Sequence, residues 1–371
     1  MTGKYANVLI ISTWIKFYPD PRTINTFNME VQIKIARQRT NIPLYFQTYT
    51  LEVDPGNTIL ECLNKIKWEQ DGSLAFRKNC RNTICGSCGM KINGRSALAC
   101  KENIGNELTR LQQIAQSSTD YHPKNTNQTP EIIISPLGNM PVIKDLVVNM
   151  SDFWENLEKI DPYISSKGRQ VPEREFLQTP KERSLLDQTG NCILCGACYS
   201  ECNAVEVNEN FVGPHALAKG YRMVKDSRDS QTESRIEKYN NSISGVWSCT
   251  RCFQCNNVCP MNVAPLDQIS KIKQEILTQN DENASRAIRH RKVLVDLVKQ
   301  GGWIDERKFG IRVIGDNYQD VKGLLSLGPL GLRMLAKGKF PFSFLPSEGI
   351  KEIRSLIESV FKIENDEKAK L

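Results

Sequence analysis

Twelve of the thirteen cysteines in this 371-residue chain fall into three tight groups, and the fold must bring each group together. Thirteen is too sparse for a disulfide scaffold, and such grouping points to metal in a reducing compartment. The first group is Cys80, Cys85, Cys88 and Cys100, spaced C-x4-C-x2-C-x11-C. Three thiolates on a short loop can wrap one side of a flat two-iron cluster, and a fourth returns after a strand pair. The C-x4-C-x2-C element is the plant-type ferredoxin spacing, which zinc sites rarely use. Gly86 and Gly89 let the backbone approach closely and aim N–H groups at the sulfurs. Cys62 stands outside the pattern and reads as a small buried side chain on the apolar side of a helix.

The second group is Cys192, Cys195, Cys198 and Cys202, and the third is Cys249, Cys252, Cys255 and Cys259 followed by Pro260. Each is C-x2-C-x2-C-x3-C, the run of bacterial two-cluster ferredoxins, in which the fourth cysteine ligates the other cluster. Cys192, Cys195 and Cys198 therefore pair with Cys259, and Cys249, Cys252 and Cys255 with Cys202. The cofactors expected are one 2Fe-2S cluster, one 4Fe-4S cluster, and a third that is 4Fe-4S, or 3Fe-4S without Cys252.

Around these groups the pattern is α+β. Val31, Ile33 and Ile35 alternate with Gln32 and Lys34, Tyr49, Leu51 and Val53 repeat the period, and Asp54–Asn57 makes a turn. Thr58 with Glu61 fits a capping box, and Ile59, Leu63 and Ile66 share a helix face. From about 141 helix is expected, with Thr179-Pro180 and Glu182 marking a helix start and Gly190 a stop. The charged run 219–240 reads as a solvated helix face, and an apolar-rich helix at 290–300 ends at Gly301-Gly302. The segment 321–346, apolar and punctuated by glycine and proline, carries Arg333, Lys337 and Lys339. It reads either as packing on the chain's own second domain or as docking on a membrane surface or membrane subunit. Ile350, Ile353, Leu356, Ile357, Val360 and Phe361 form a helical stripe after it.

The fold expected is a β-grasp 2Fe-2S ferredoxin domain at 29–140, an α-helical ferredoxin domain at 141–300, and a helical extension at 301–371 that is an anchor or docking element. Residues 1–28 form an appendage, or precede a true start at Met29. The N-terminus lacks a secretory cleavage site and resembles no transit peptide, and no run of about 18 apolar residues spans a membrane. Net charge is a modest +7 without a concentrated basic run, which argues against nucleic acid as a partner. His122, His215 and His290 have no paired acid or nucleophile, and there is no Rossmann glycine motif or P-loop. No catalytic residue is expected, and the organic chemistry falls to a partner.

LAFRKNCRNTICGSCGMKING with LAC (74–94, 98–100), PLGNMPVIKDLVVNMSDFW (136–154), CILCGAC (192–198) and GYRMVKDSRD (220–229) resemble the iron-sulfur subunit of succinate dehydrogenase and fumarate reductase. The resemblance runs from about Met29 to about Gln300. It implies a flavoprotein partner that interconverts succinate and fumarate on FAD, a membrane anchor partner, and a quinone reached through that anchor. It also implies an order: first the centre on Cys80, Cys85, Cys88 and Cys100, then that on Cys192, Cys195, Cys198 and Cys259, last that on Cys202, Cys249 and Cys255. A peripheral position on the cytoplasmic face of a bacterial membrane follows.

Three departures stand out. Most members have an apolar residue where this chain has Cys252, and hence a 3Fe-4S cluster. Asn203-Ala204-Val205-Glu206-Val207 replaces a proline and an aromatic pair, so the tryptophan that helps frame the quinone in the family is missing. Thr250 stands where histidine is common. The long C-terminal tail fits a branch whose anchor is of heterodisulfide-reductase type. Fumarate reductase, or a relay for another flavoenzyme, is the alternative within the class; outside it stands a zinc-stabilised scaffold.

Overall fold

The computed structural model describes residues 28–39, 42–117, 130–278 and 285–369. Nearly all of the appendage before Met29, residues 118–129 and with them His122 lie outside the described residues. The described residues form two compact units. One takes in the chain up to Arg235 together with Cys249–Lys271, the other Ile236–Ser248 together with the chain from Ile272.

In the first unit, alternation builds a sheet. Strand β1 (Met29–Arg39) buries Val31, Ile33 and Ile35 completely, and β2 (Ile42–Val53) returns antiparallel with Tyr49, Leu51 and Val53 inward. The turn at Asp54–Asn57 is closed by the Asn57 N–H donating to the Asp54 carbonyl at 2.9 Å. Helix α1 (Ile59–Glu69) opens with the expected capping box: Thr58 Oγ1 accepts from the Glu61 N–H, and the Glu61 carboxylate accepts from the Thr58 N–H. Cys62 lies on its buried side, where burial pushes the thiol up to about 12.

Strands β3 (Gly89–Ile92) and β4 (Arg95–Leu98) form a hairpin across Asn93 and Gly94, both at positive φ, as a two-residue I′ turn requires. Helix α2 (Ile104–Ser117) follows. Strand β5 (Glu131–Ser135) then enters between β1, parallel to it, and β3, antiparallel. The order β2-β1-β5-β3-β4 under α1 is a β-grasp.

Helix does not begin at 141. Strands β6 (Val142–Lys144) and β7 (Val147–Val148) come first as a small hairpin, because β-branched residues favour the extended form. Asp145 at its tip, at φ +50°, anchors the most buried ionic cluster of the unit. Arg37, 1% exposed, donates from Nε to Asp145 (3.0 Å), from Nη1 to Asp71 and Gln47, and from Nη2 to Ser73.

The helical part comprises α3 (Ser151–Glu158), α4 (Pro180–Gly190), α5 (Ala197–Ser200), α6 (Asn203–Val207), α7 (Gly213–Lys225), α8 (Thr232–Tyr239), α9 (Gln254–Asn257) and α10 (Pro265–Thr278). Helix α4 starts on the expected Thr179/Glu182 box. The charged run 219–240 is a solvated face only in part: Glu233, Glu237 and Lys238 on α8 are exposed, but much of the rest turns inward. Tyr221, Met223 and Val224 are buried, and so is the Arg235–Asp229 pair at 2.9 Å. Arg235 also donates to the carbonyls of Ile160, Asp161 and Tyr163, so its charge organises the loop that follows α3.

In the second unit, α11 (Arg286–Gly301) ends on Gly302 at φ +79°. It is followed by α12 (Glu306–Phe309), a π turn (Gly310–Ile314), α13 (Val321–Ser326), α14 (Gly328–Ala336) and α15 (Ile350–Ala369). Val293, Leu297 and Val313 with Phe309 form a small core. Leu325, Leu332 and Leu335 are exposed, so these side chains do not pack on the described residues. No described helix is long and apolar enough to cross a membrane.

Candidate metal centres

The first group sits on the loop between α1 and β3, and Cys100 follows β4. Cys80 Sγ accepts from the N–H groups of Asn82, Ile84 and Cys85 at 3.3–3.4 Å, Cys85 Sγ from that of Cys80, and Cys100 Sγ from that of Thr83. The donors are therefore not the glycines; the Gly89 N–H goes to the Gly86 carbonyl. Arg81 and Thr83 take positive φ in this loop. Burial resists charge on Cys85, yet the Ser87 hydroxyl and the N–H groups of Cys80 and Ser87 bring its thiol down to about 6. Cys88, buried and beside Cys100, is pushed up to about 12.

The glycines serve another contact. A Cβ on Gly86, at φ +71°, would lie 2.9 Å from both Cα and Cβ of Cys195, and one on Gly89 would lie 3.0 Å from the Cys195 carbonyl oxygen. The first and second cysteine loops thus meet backbone to backbone. Ser96 and Lys91 reinforce the meeting by donating to Glu201, and Asn139 Nδ2 donates to the carbonyls of Tyr199, Ser200 and Cys202. Gly86→Ala is expected to destabilise by about 2–4 kcal/mol, combining overpacking with a positive-φ penalty. Gly94→Ala, at φ +78° with nothing within 4 Å, carries only the backbone part, about 1 kcal/mol. Thermal unfolding of both variants checks the difference.

The second and third loops share one conformation. Leu194 (φ +53°) and Gly196 (φ +81°) flank Cys195, and Arg251 (φ +60°) and Phe253 (φ +65°) flank Cys252. Each loop then enters a short helix, α5 or α9, and these helices touch. Cys192, Cys195, Cys198 and Cys259 line one cavity with Ile193, Val263 and His215. Cys198 is half-buried, and its thiol lies well above its ordinary value, first from burial, then from Cys195, Cys192, Cys255 and Cys259. Cys255 is pushed up to about 12 by burial and by Cys249, Cys202 and Cys252. The structure therefore gathers Cys202 with the third run and Cys259 with the second, and sets Cys198 beside Cys255. Among the described residues, no three His, Cys, Asp or Glu side chains crowd around a point as they would for a single metal ion.

Several neighbours carry no signature in the sequence. Lys219 Nζ donates to the Cys192 carbonyl and Lys101 Nζ to the Pro260 carbonyl. His215 stacks on Phe153 at 3.8 Å with Nε2 2.8 Å from the Phe153 carbonyl oxygen, and burial lowers it to about 4. His290 lies edge-on to Phe309. Alignment of the two C-x2-C-x2-C runs would have placed Phe253 opposite Gly196 and so marked its left-handed backbone.

Residues 32–155 match the family described as 2Fe-2S iron-sulfur cluster binding domain, and residues 188–263 the 4Fe-4S dicluster domain. A curated relative, the mitochondrial succinate dehydrogenase [ubiquinone] iron-sulfur subunit 3 of Arabidopsis thaliana, is 34% identical over 251 residues, which is 66% of this chain and 75% of the relative. The chain belongs to the succinate dehydrogenase iron-sulfur subunit family. It is an electron-transfer component of an oxidoreductase, with a 2Fe-2S and a 4Fe-4S dicluster domain. A chain of the solved structure "Mycobacterium smegmatis Sdh1 complex in the apo form" shares the fold of this family member, with a TM-score of 0.57 at 22% identity, covering 69% of this chain and all of that one.

Proposed function

We propose that this chain relays electrons from an FAD-bearing flavoprotein subunit towards a quinone at a membrane anchor subunit, as the iron-sulfur subunit of a succinate dehydrogenase. Residues 29–140 and 141–300 are its 2Fe-2S and helical 4Fe-4S domains, and 301–371 its extension. Cys80, Cys85, Cys88 and Cys100 would hold the 2Fe-2S cluster, and Cys192, Cys195, Cys198 and Cys259 a 4Fe-4S cluster. Cys202, Cys249, Cys252 and Cys255 would hold the last. When bound, such clusters supply one-electron sites whose potentials respond to hydrogen bonds and burial.

The observation that carries this reading is the unbroken succession of loops: Gly86 and Gly89 abut Cys195, and Cys198 neighbours Cys255. The residues present fit the groups assigned to them. Backbone N–H groups are aimed at the sulfurs of the first loop, and apolar walls surround the four thiols of the second. At the third, Cys252 gives a fourth thiol beside Cys202, Cys249 and Cys255, which favours a second 4Fe-4S cluster over 3Fe-4S. Cys252 and Phe253 are exposed, and so offer this end to another subunit. Holding Phe253 left-handed costs about 1–2 kcal/mol, the kind of strain found where a contact is functional. The place of action is the cytoplasmic face of a bacterial membrane, with the subunit bound peripherally.

The test is succinate-dependent dye reduction by the co-purified complex. Robust reduction that needs this subunit is the expected result. No reduction by a complex whose flavin is fully loaded would overturn succinate as the donor and point to a different flavoenzyme.

A further inference from the structure

The segment 321–346 presents apolar side chains that nothing among the described residues covers. Helix α14 buries no residue, although Leu330, Leu332 and Leu335 lie on it. Leu332 is 69%, Leu325 72%, Phe342 75% and Leu345 77% exposed. Successive α-helical positions are 100° apart, so Leu330, Leu332 and Leu335 do not form one stripe. A groove on a protein would cover one face of this helix, whereas acyl chains can surround several. Charge narrows the partner further. From Val321 to Ser347 the chain carries Lys322, Arg333, Lys337 and Lys339 and no Asp or Glu, and all four cations are exposed.

The backbone is prepared for a dry environment. A carbonyl entering lipid must keep a donor. Trp303 Nε1 donates to the Leu345 carbonyl at 2.7 Å, and Arg307 Nη1 to the Phe342 carbonyl at 2.8 Å. These are the carbonyls of the two most exposed apolar residues in the segment. Phe344 fixes the run from beneath: its ring occupies the space of a side chain at Gly301, where a Cβ would lie 2.6 Å from it. Trp303 is itself 55% exposed, an amphipathic ring of the type that settles at a membrane–water boundary.

We propose that residues 321–346 insert directly into the headgroup and outer acyl region of an anionic bilayer, with Leu325, Leu330, Leu332, Leu335, Phe342 and Leu345 in the apolar layer and the four cations on lipid phosphates. This rests on the peripheral-membrane part of the proposed function and gives it a lipid contact of the subunit's own. The probe is co-sedimentation of the full, cluster-loaded chain, without other subunits, with phosphatidylcholine vesicles with and without phosphatidylglycerol. Binding is expected with phosphatidylglycerol and weaker without it. Lys337→Gln and Lys339→Gln should each weaken it about fivefold, and Leu332→Glu with Phe342→Glu by at least about tenfold. All these positions are exposed, and cluster absorbance verifies the fold of each variant. No binding to anionic vesicles, equal binding by the variants, or binding only when a membrane anchor subunit is reconstituted would overturn the proposal. The relay would stand in each case, because it is read from the cluster signals; their loss would count against the relay instead.

Discussion

Cys198→Ala is expected to remove the middle cluster, lowering iron from about ten to about six per chain, and to cut succinate-driven electron delivery to an acceptor beyond the last centre by more than about 100-fold. That exceeds the 10–100-fold that loss of an outer-shell partner costs a metal site. The basis is position: Cys198 lies at the meeting of the second and third groups, beside Cys192, Cys195, Cys259 and Cys255. The 2Fe-2S signal should persist, because Cys80, Cys85 and Cys100 draw their N–H donors from their own loop. Iron analysis beside paramagnetic resonance reads both parts. Simultaneous loss of all signals from a folded variant would refute the division of ligands.

Arg37→Met is expected to destabilise the first unit by about 3–5 kcal/mol, the cost of breaking a buried ion pair and leaving its partner uncompensated. That is about 6–20 °C in its thermal transition. Arg37 ties β1 to the β6–β7 tip through Asp145 and to the end of α1 through Asp71 and Ser73, and Asp145, 0% exposed, would be stranded. The same cluster predicts an acid dependence. The Ser73 hydroxyl, then Arg37 and Tyr49, hold the Asp71 carboxyl well below its ordinary value of 3.8. A depressed folded pKa means that the unfolded chain binds the proton first. The stability from Asp71 is therefore fully present above about pH 4 and is lost as pH falls below it. Asp71→Asn should flatten this part of the pH profile, as unfolding followed across that range would show.

Much of this was legible in the residues themselves. The period of two in Val31, Ile33 and Ile35, the boxes at Thr58/Glu61 and Thr179/Glu182, and the Gly301-Gly302 stop are local signals, and local backbone physics obeys them. Cysteine spacing carried further, because three thiols within seven residues must face one centre however the rest folds. What stayed hidden is non-local. Arg37 meets Asp145 across 108 residues, and Arg235 meets the carbonyls of a loop more than 70 residues earlier, so the charged run 219–240 looked solvated. Left-handed backbone at Leu194, Arg251 and Phe253 has no signature in those residue types. The purpose of Gly86 and Gly89 emerged only when the second loop was found against them.

Iron and acid-labile sulfide counts on anaerobically purified protein, taken beside its paramagnetic resonance spectrum before and after reduction, test the three-centre relay most directly. About ten irons per chain, with signals from one 2Fe-2S and two 4Fe-4S centres on reduction and no stoichiometric 3Fe-4S signal in fresh oxidised material, is the result predicted. Zinc in place of iron with no sulfide, or a full-occupancy 3Fe-4S signal showing Cys252 not to be a ligand, would contradict it, the first entirely and the second at its last centre.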